Sequence, residues 1–218
     1  MKKAVVFDMD GIIFDTENMM WKVWRKVAEK RHMEDIDSAL RACLGVNVQG
    51  TKEIFLDKYG QDFDMEGSFK EVAALFNETI EKEGIPVKKG TYELLTYLSE
   101  NGYKIALASS TQTEKVIKEL KEADLYQYFD VIVGGDQVTR SKPDPEIYLT
   151  ACHKIGVVPE EAYAIEDSFN GIRSAAAAGL KAIMVPDILQ PNESIMPLVH
   201  RVFDSLLDVK TFLEESFA

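Results

Sequence analysis

Cysteine is scarce: Cys43 and Cys152 are the only two in 218 residues. They lie too far apart in sequence to suggest a disulfide framework or a thiolate metal site. Free thiols, and with them a reducing, cytoplasmic setting, are expected. Histidine is also rare, and His32, His153 and His200 are scattered without forming a motif. Positive charge is in short supply: 25 Lys and Arg face 37 Asp and Glu, for a net charge of -12 with no basic run. Nucleic acid is therefore not an expected partner, because backbone binding needs clustered Lys and Arg. An anionic membrane surface is disfavoured on the same ground. No apolar run reaches the roughly 20 residues of a membrane span. The first fifteen residues are not expected to act as a secretory signal, since Asp8 and Asp10 cut their apolar stretch. Repeats and low-complexity tracts are absent.

What is present is a chain that is 46% hydrophobic, enough for one large core or for a core with a satellite domain. Its most informative segment is Val5-Val6-Phe7-Asp8-Met9-Asp10-Gly11. Val5, Val6 and Phe7 read as a buried strand. Such a strand carries Asp8 to its C-terminal end, where open parallel sheets place their ligands. Two carboxylates about 4 Å apart at an effective dielectric of ~20 repel by about 4 kcal/mol. A cation between them, or a retained proton, relieves that repulsion.

Residues 16–83 show only helical periodicity. Met20, Trp21, Val23, Trp24 and Val27 form a broad stripe. Shorter helices are expected at Ile36–Cys43 and Thr51–Lys58, the latter stopped by Gly60. A longer one is expected from Met65 to Glu83, with Phe69, Val72, Ala73, Phe76 and Ile80 on one face. From Gly90 onward helices and strands alternate, with strands at Lys104–Ala108, Val131–Val133, Ala162–Ile165 and Ala182–Val185 and a short edge strand at Val202-Phe203. Strand–helix–strand repetition implies a parallel sheet covered by helices on both faces. The expected architecture is an α/β, Rossmann-like core over residues 1–15 and 86–218, with an inserted helical-bundle cap over residues 16–85.

Four strand ends of that core carry polar residues: Asp8 with Asp10, Ser109-Ser110-Thr111, Lys142 before Pro143, and Glu166-Asp167. Each motif alone has an ordinary reading as a turn, a cap or a solvated charge. Together they offer carboxylates for a hard cation such as Mg²⁺, with a lysine and hydroxyls for an anion. That combination suits phosphoryl transfer to a carboxylate.

These motifs, in this order and with a helical insertion after the first strand, resemble the haloacid dehalogenase superfamily of phosphohydrolases. Within it the chain looks most like the branch of β-phosphoglucomutase and small sugar-phosphate phosphatases. The resemblance implies that Asp8 is the nucleophile and Asp10 the general acid and base. It implies that Ser109 and Lys142 hold the phosphoryl group, and that Mg²⁺ sits among Asp8, Asp10, Glu166 and Asp167. Asp10 also separates the chain from the family's true dehalogenases, so carbon–halogen cleavage is not expected.

The cap is expected to choose the leaving group, chiefly through the loop Leu44–Gln49. The substrate-facing set is Gly11, Asp15, Thr16, Met20, Gly45, Asn47, Val48, Gln49, Lys52, Ser110 and Thr111. β-Phosphoglucomutase carries an arginine, a histidine and a lysine in its cap, where this chain has Val48, Met20 and Asn77. The missing cations favour hydrolysis of a phosphorylated sugar or polyol over mutase action, because charged hydrogen bonds are worth about 1.5–3 kcal/mol each. Lys52 and Lys115 keep the mutase open as the alternative. A non-catalytic, phosphate-accepting switch is the alternative of another class. The expected partner is a small phosphorylated metabolite, and the expected state is a monomer.

Overall fold

A computed structural model describes residues 4–44, 46 and 48–216. The chain divides into two compact units, Met1–Asp15 with Val87–Ala218, and Thr16–Pro86.

Among its described residues the first unit holds a six-stranded sheet in the order β3-β2-β1-β4-β5-β6. The strands are β1 (Ala4–Phe7), β2 (Lys104–Ala108), β3 (Val131–Val133), β4 (Ala162–Glu166), β5 (Lys181–Met184) and β6 (Arg201–Val202). All neighbouring pairs are parallel. β1 lies at the centre, between β2 and β4. Side chains alternate faces along a strand, and Ala4, Val5, Val6 and Phe7 are all buried. Both faces of the sheet are therefore covered, as an all-parallel sheet requires. One face, bearing Ala4, Val6, Ala106 and Ala164, packs against Ile147, Tyr148 and Ala151 of α7 (Glu146–Ile155) and Ile172 and Ala175 of α8 (Phe169–Ala177). Alanines on the strands let these two helices approach closely. In α5 (Thr91–Glu100), Leu94, Leu95 and Leu98 recur at helical spacing and are fully buried. This is the α/β, Rossmann-like core with helices on both faces.

The second unit is a helical bundle of α1 (Thr16–Lys30), α2 (Ile36–Cys43), α3 (Val48–Tyr59) and α4 (Met65–Glu83). It has its own apolar centre, built from Val23, Trp24, Val27, Ala39, Phe55, Val72 and Phe76. Phe55 is the hub, with ring centroids 5.3 Å from Trp24 and 5.6 Å from Phe69. Asp64 caps α4 by accepting from the Gly67 backbone N–H at 2.9 Å.

Several local readings differ from the structure, among them the bounds of β4, β5 and β6, which each move by one residue. The α3 helix begins at Val48, not Thr51, because Gln49 Nε2 donates to Glu53 Oε1 at 2.9 Å and supports an earlier first turn. Ala73 is exposed, and Phe69 keeps 37% of its surface exposed, so the buried face of α4 is narrower than the sequence stripe. In α1 the deeply buried set is Met19, Val23, Trp24, Val27 and Ala28, with Met20 and Trp21 at its margin.

Candidate active site

The C-terminal edge of the sheet gathers polar groups from four chain segments. Asp8 follows β1 and stays anchored to the sheet, its N–H donating to the Ile165 carbonyl at 3.0 Å. The chain then turns tightly. The Met9 carbonyl accepts from the N–H groups of Ile13 and Phe14 at 2.8 and 3.1 Å, and the Gly11 N–H donates to the Phe14 carbonyl at 2.9 Å. Gly11 has φ 81°, and a Cβ there would overlap the Asp167 carboxylate. Glycine at this position therefore serves both the turn and the close approach of Asp167.

Ser109 ends β2 the way Asp8 ends β1. Its N–H donates to the Val133 carbonyl at 3.0 Å, and its side chain is buried. The Thr111 N–H donates to Ser109 Oγ at 3.1 Å, and Thr111 Oγ1 donates to Asp10 Oδ2 at 3.4 Å. Asp10 is thus tied to the strand-end loop of β2. Ser110 is exposed.

Lys142 arrives on the loop after β3. Glu146 clasps that loop, accepting from the Thr139 N–H at 2.9 Å, Thr139 Oγ1 at 2.8 Å and the Arg140 N–H at 3.0 Å. The Lys142 side chain is only 7% exposed, and its ammonium donates to Asp8 Oδ1 at 2.5 Å and Glu166 Oε1 at 2.6 Å. Burial opposes its charge, but the Asp8 and Glu166 carboxylates outweigh that and raise its pKa. Burial pushes the Asp8 carboxyl up to about 7, with the Glu166 and Asp10 charges adding to it and Lys142 pulling the other way.

The end of β4 supplies Glu166 and Asp167, both buried. Asp8, Glu166 and Asp167 each bring a carboxylate oxygen within 4.8 Å of the others. Two of these acids share one lysine, so a buried excess of negative charge remains, and the all-oxygen donor set suits a hard divalent cation. Glu166 is the most heavily engaged of the three. Its Oε1 accepts from Lys142 and from the Tyr148 hydroxyl at 2.9 Å. Its Oε2 accepts from the Asp167 N–H at 3.2 Å, the Ser168 N–H at 3.1 Å and Ser168 Oγ at 3.0 Å.

The remaining candidates sit in other elements of their own units. Asp15 lies 3.6 Å from the Lys88 ammonium, which also meets Asp187 at 2.8 Å. Thr16 opens α1. Met20 packs against the bundle's own apolar centre. Lys52 lines a groove within the bundle beside Leu56, Phe63 and Phe69. Val48 opens α3, and Gln49 is paired with Glu53. Lys115 is paired with Glu119 at 3.7 Å. Gly45 and Asn47 lie outside the described residues.

Sequence reading missed Tyr148. It is fully buried, and the Lys142 ammonium sits 5.1 Å from its ring centroid. An aromatic residue on an amphipathic helix reads simply as core. The only available signal was its position six residues after Lys142, in the helix that follows the Lys142 loop.

Comparison with known proteins places these motifs in context. Residues 5–185 match the family model of haloacid dehalogenase-like hydrolases. The chain is 36% identical over 184 residues to a phosphorylated carbohydrates phosphatase of Thermotoga maritima, covering 83% of each protein. It is 28% identical over 221 residues to hexitol phosphatase B of Escherichia coli O157:H7, covering 94% of this chain and 93% of the relative. Among solved structures, a protein from Thermotoga maritima described as a putative β-phosphoglucomutase superposes with a TM-score of 0.79 at 30% identity. That likeness covers 98% of this chain and 99% of the other.

Proposed function

Because the chain belongs to the haloacid dehalogenase-like hydrolase family, we propose that it hydrolyses small phosphorylated sugars or polyols through an aspartyl-phosphate on Asp8. The observation that carries this reading is the buried junction of Asp8, Lys142 and Glu166, with Asp10 and Ser109 on adjoining loops of the same sheet edge. A carboxylate nucleophile, a proton-transfer group, a hydrogen-bond donor for the phosphoryl oxygens and a fixed cation are the parts phosphoryl transfer to Asp needs.

An Asp8 oxygen attacks phosphorus while the ester P–O bond breaks, and Asp10 gives its proton to the leaving alcohol oxygen. Water then attacks the aspartyl-phosphate and gives a proton back to Asp10, and orthophosphate departs to regenerate Asp8. Ser109 and Lys142 hold the phosphoryl oxygens through both steps. Asp8 and Asp167, two of the three clustered acids, would hold Mg²⁺, with the Asp10 carbonyl as the resemblance implies, and the ion would offset the charge of the phosphoryl group and the surrounding acids. The Asp10–Thr111 hydrogen bond keeps the acid on the same loop edge as Ser109.

The substrate class rests on the relatives. One is named for phosphorylated carbohydrates and another for hexitols. The test is phosphate release from p-nitrophenyl phosphate and a panel of sugar and polyol phosphates. Expected is release with Mg²⁺ that is lost with EDTA and in Asp8→Asn. Absence of release from every monoester in the presence of Mg²⁺ would overturn the reading.

A mutase is the second reading, favoured by the 30% identical solved structure described as a putative β-phosphoglucomutase. Against it stand Met20, Val48 and Asn77, uncharged residues where a bisphosphate calls for cations. Formation of glucose 6-phosphate from β-glucose 1-phosphate with its bisphosphate activator separates the two.

A further inference from the structure

Tyr148 is a large, fully buried side chain whose polar atom is spent on the site rather than on the helix that carries it. Its hydroxyl donates to Glu166 Oε1 at 2.9 Å, on the same oxygen that receives the Lys142 ammonium at 2.6 Å. The Lys142 ammonium also lies 5.1 Å from the Tyr148 ring centroid. One residue therefore touches both members of the pair, by hydrogen bond on one side and by ring face on the other.

The geometry around Glu166 explains what such a contact does. Its Oε2 is fixed by the Asp167 and Ser168 N–H groups and by Ser168 Oγ. Its Oε1 has two donors, Lys142 and Tyr148. A carboxylate pinned on one oxygen still rotates about its terminal bond, which is broad and soft. The Tyr148 hydroxyl supplies the second pin and sets the direction in which Oε1 receives Lys142. From there the ammonium reaches Asp8 Oδ1 at 2.5 Å. Tyr148 itself is held by the sheet-facing cluster with Ala106, Ala164 and Ile172, so its hydroxyl position is inherited from the core.

We infer that Tyr148 is a positioning residue of the reaction, acting through Glu166 and its ring face to keep the Lys142 ammonium aimed at Asp8. The kinetic consequence rests on the hydrolase reading above; the placement of Lys142 does not. Tyr148 has no contact with the leaving group in this assignment. Its loss therefore slows turnover and leaves substrate affinity nearly unchanged.

The test uses Tyr148→Phe in the full chain, which removes one oxygen and keeps the ring. Expected is a fall in kcat of about tenfold, the usual range for partners that orient a reacting group, with KM changed less than about twofold. Because Tyr148 acts through Glu166, adding Tyr148→Phe to Glu166→Gln should cost little more than Glu166→Gln alone. A direct readout accompanies the kinetics: labelling of the Lys142 amine by an acylating reagent, quantified by peptide mass spectrometry on folded protein. Lys142 should label faster in Tyr148→Phe than in wild type. Unchanged labelling with unchanged kcat overturns the inference, as does a drop in melting temperature with kcat per folded molecule intact. If wild type proves to have no phosphatase activity, the hydrolase reading falls alone and the labelling ratio decides this one.

Discussion

At the scale of single residues, the site is a problem of buried charge. Asp8, Glu166 and Lys142 are all removed from water, and the single ammonium serves both acids. Removing one member of such a group leaves uncompensated charge, which typically costs about 3–5 kcal/mol. Lys142→Met is expected to lose stability on that scale in urea denaturation at neutral pH. Mg²⁺ should return part of it by binding the bared acids of the folded state. A variant as stable as wild type without metal would show that the acids had found another counter-charge. Gly11→Ala makes a second residue-scale case. It combines a positive φ with a Cβ that would overlap the Asp167 carboxylate. Its expected signature is weakened Mg²⁺ binding by calorimetry together with lower stability, because Asp167 must move before the chain accommodates a methyl group.

At the scale of elements, the loop after β3 is organised by one side chain. Glu146 accepts from Thr139 and Arg140, which holds the segment carrying Lys142 against the first turn of α7. These hydrogen bonds, from the Thr139 N–H first and its hydroxyl next, depress the Glu146 carboxyl below its ordinary value of 4.5. The sign follows directly. A depressed acid contributes stability that is complete above its ordinary value and is lost as pH falls through the depressed one. The thermal midpoint of wild type should therefore fall more steeply below pH 4.5 than that of Glu146→Gln, whose amide does not titrate. Parallel midpoint curves would show that the clasp contributes nothing to folding.

Elements also show what was legible in the amino-acid order. Val5-Val6-Phe7, an apolar run ending at Asp8, reads as β1 because strand and turn signals agree there. The α2 and α4 helices have the bounds their periodicity predicts, and Gly84 marks the end of α4. The start of α3 was not legible, because a Gln49–Glu53 pair extends the helix past the first obvious capping residue. The strand-end motifs could be read as a group, since a parallel sheet brings such ends to one edge. Which hydroxyl meets which carboxylate could not be read. Tyr148 shares its helix face with Ala151 and Cys152, and nothing in the pattern says that one of these carries an oxygen to Glu166.

At the scale of the whole molecule, each of the two units has, among the described residues, an apolar interior of its own. The sheet unit buries Val6, Ala164, Tyr148 and their neighbours, and the helical unit closes around Trp24 and Phe55. Only two chain crossings, after Asp15 and after Pro86, link the units. A small domain buries a smaller share of its surface than a large one, so the helical unit has less surplus stability. Both tryptophans of the chain, Trp21 and Trp24, belong to it, so intrinsic tryptophan fluorescence reports that unit alone, whereas far-UV circular dichroism reports both. In urea the fluorescence midpoint is expected to precede the dichroism midpoint. Phe55→Ala should widen the gap, since emptying a buried aromatic position costs about 3–5 kcal/mol and Phe55 packs in the bundle's centre. Midpoints that coincide in wild type and stay together in Phe55→Ala would mean that the two crossings couple the centres into one cooperative unit. In that case a loss in the bundle would be felt equally at the strand ends that carry Asp8 and Lys142.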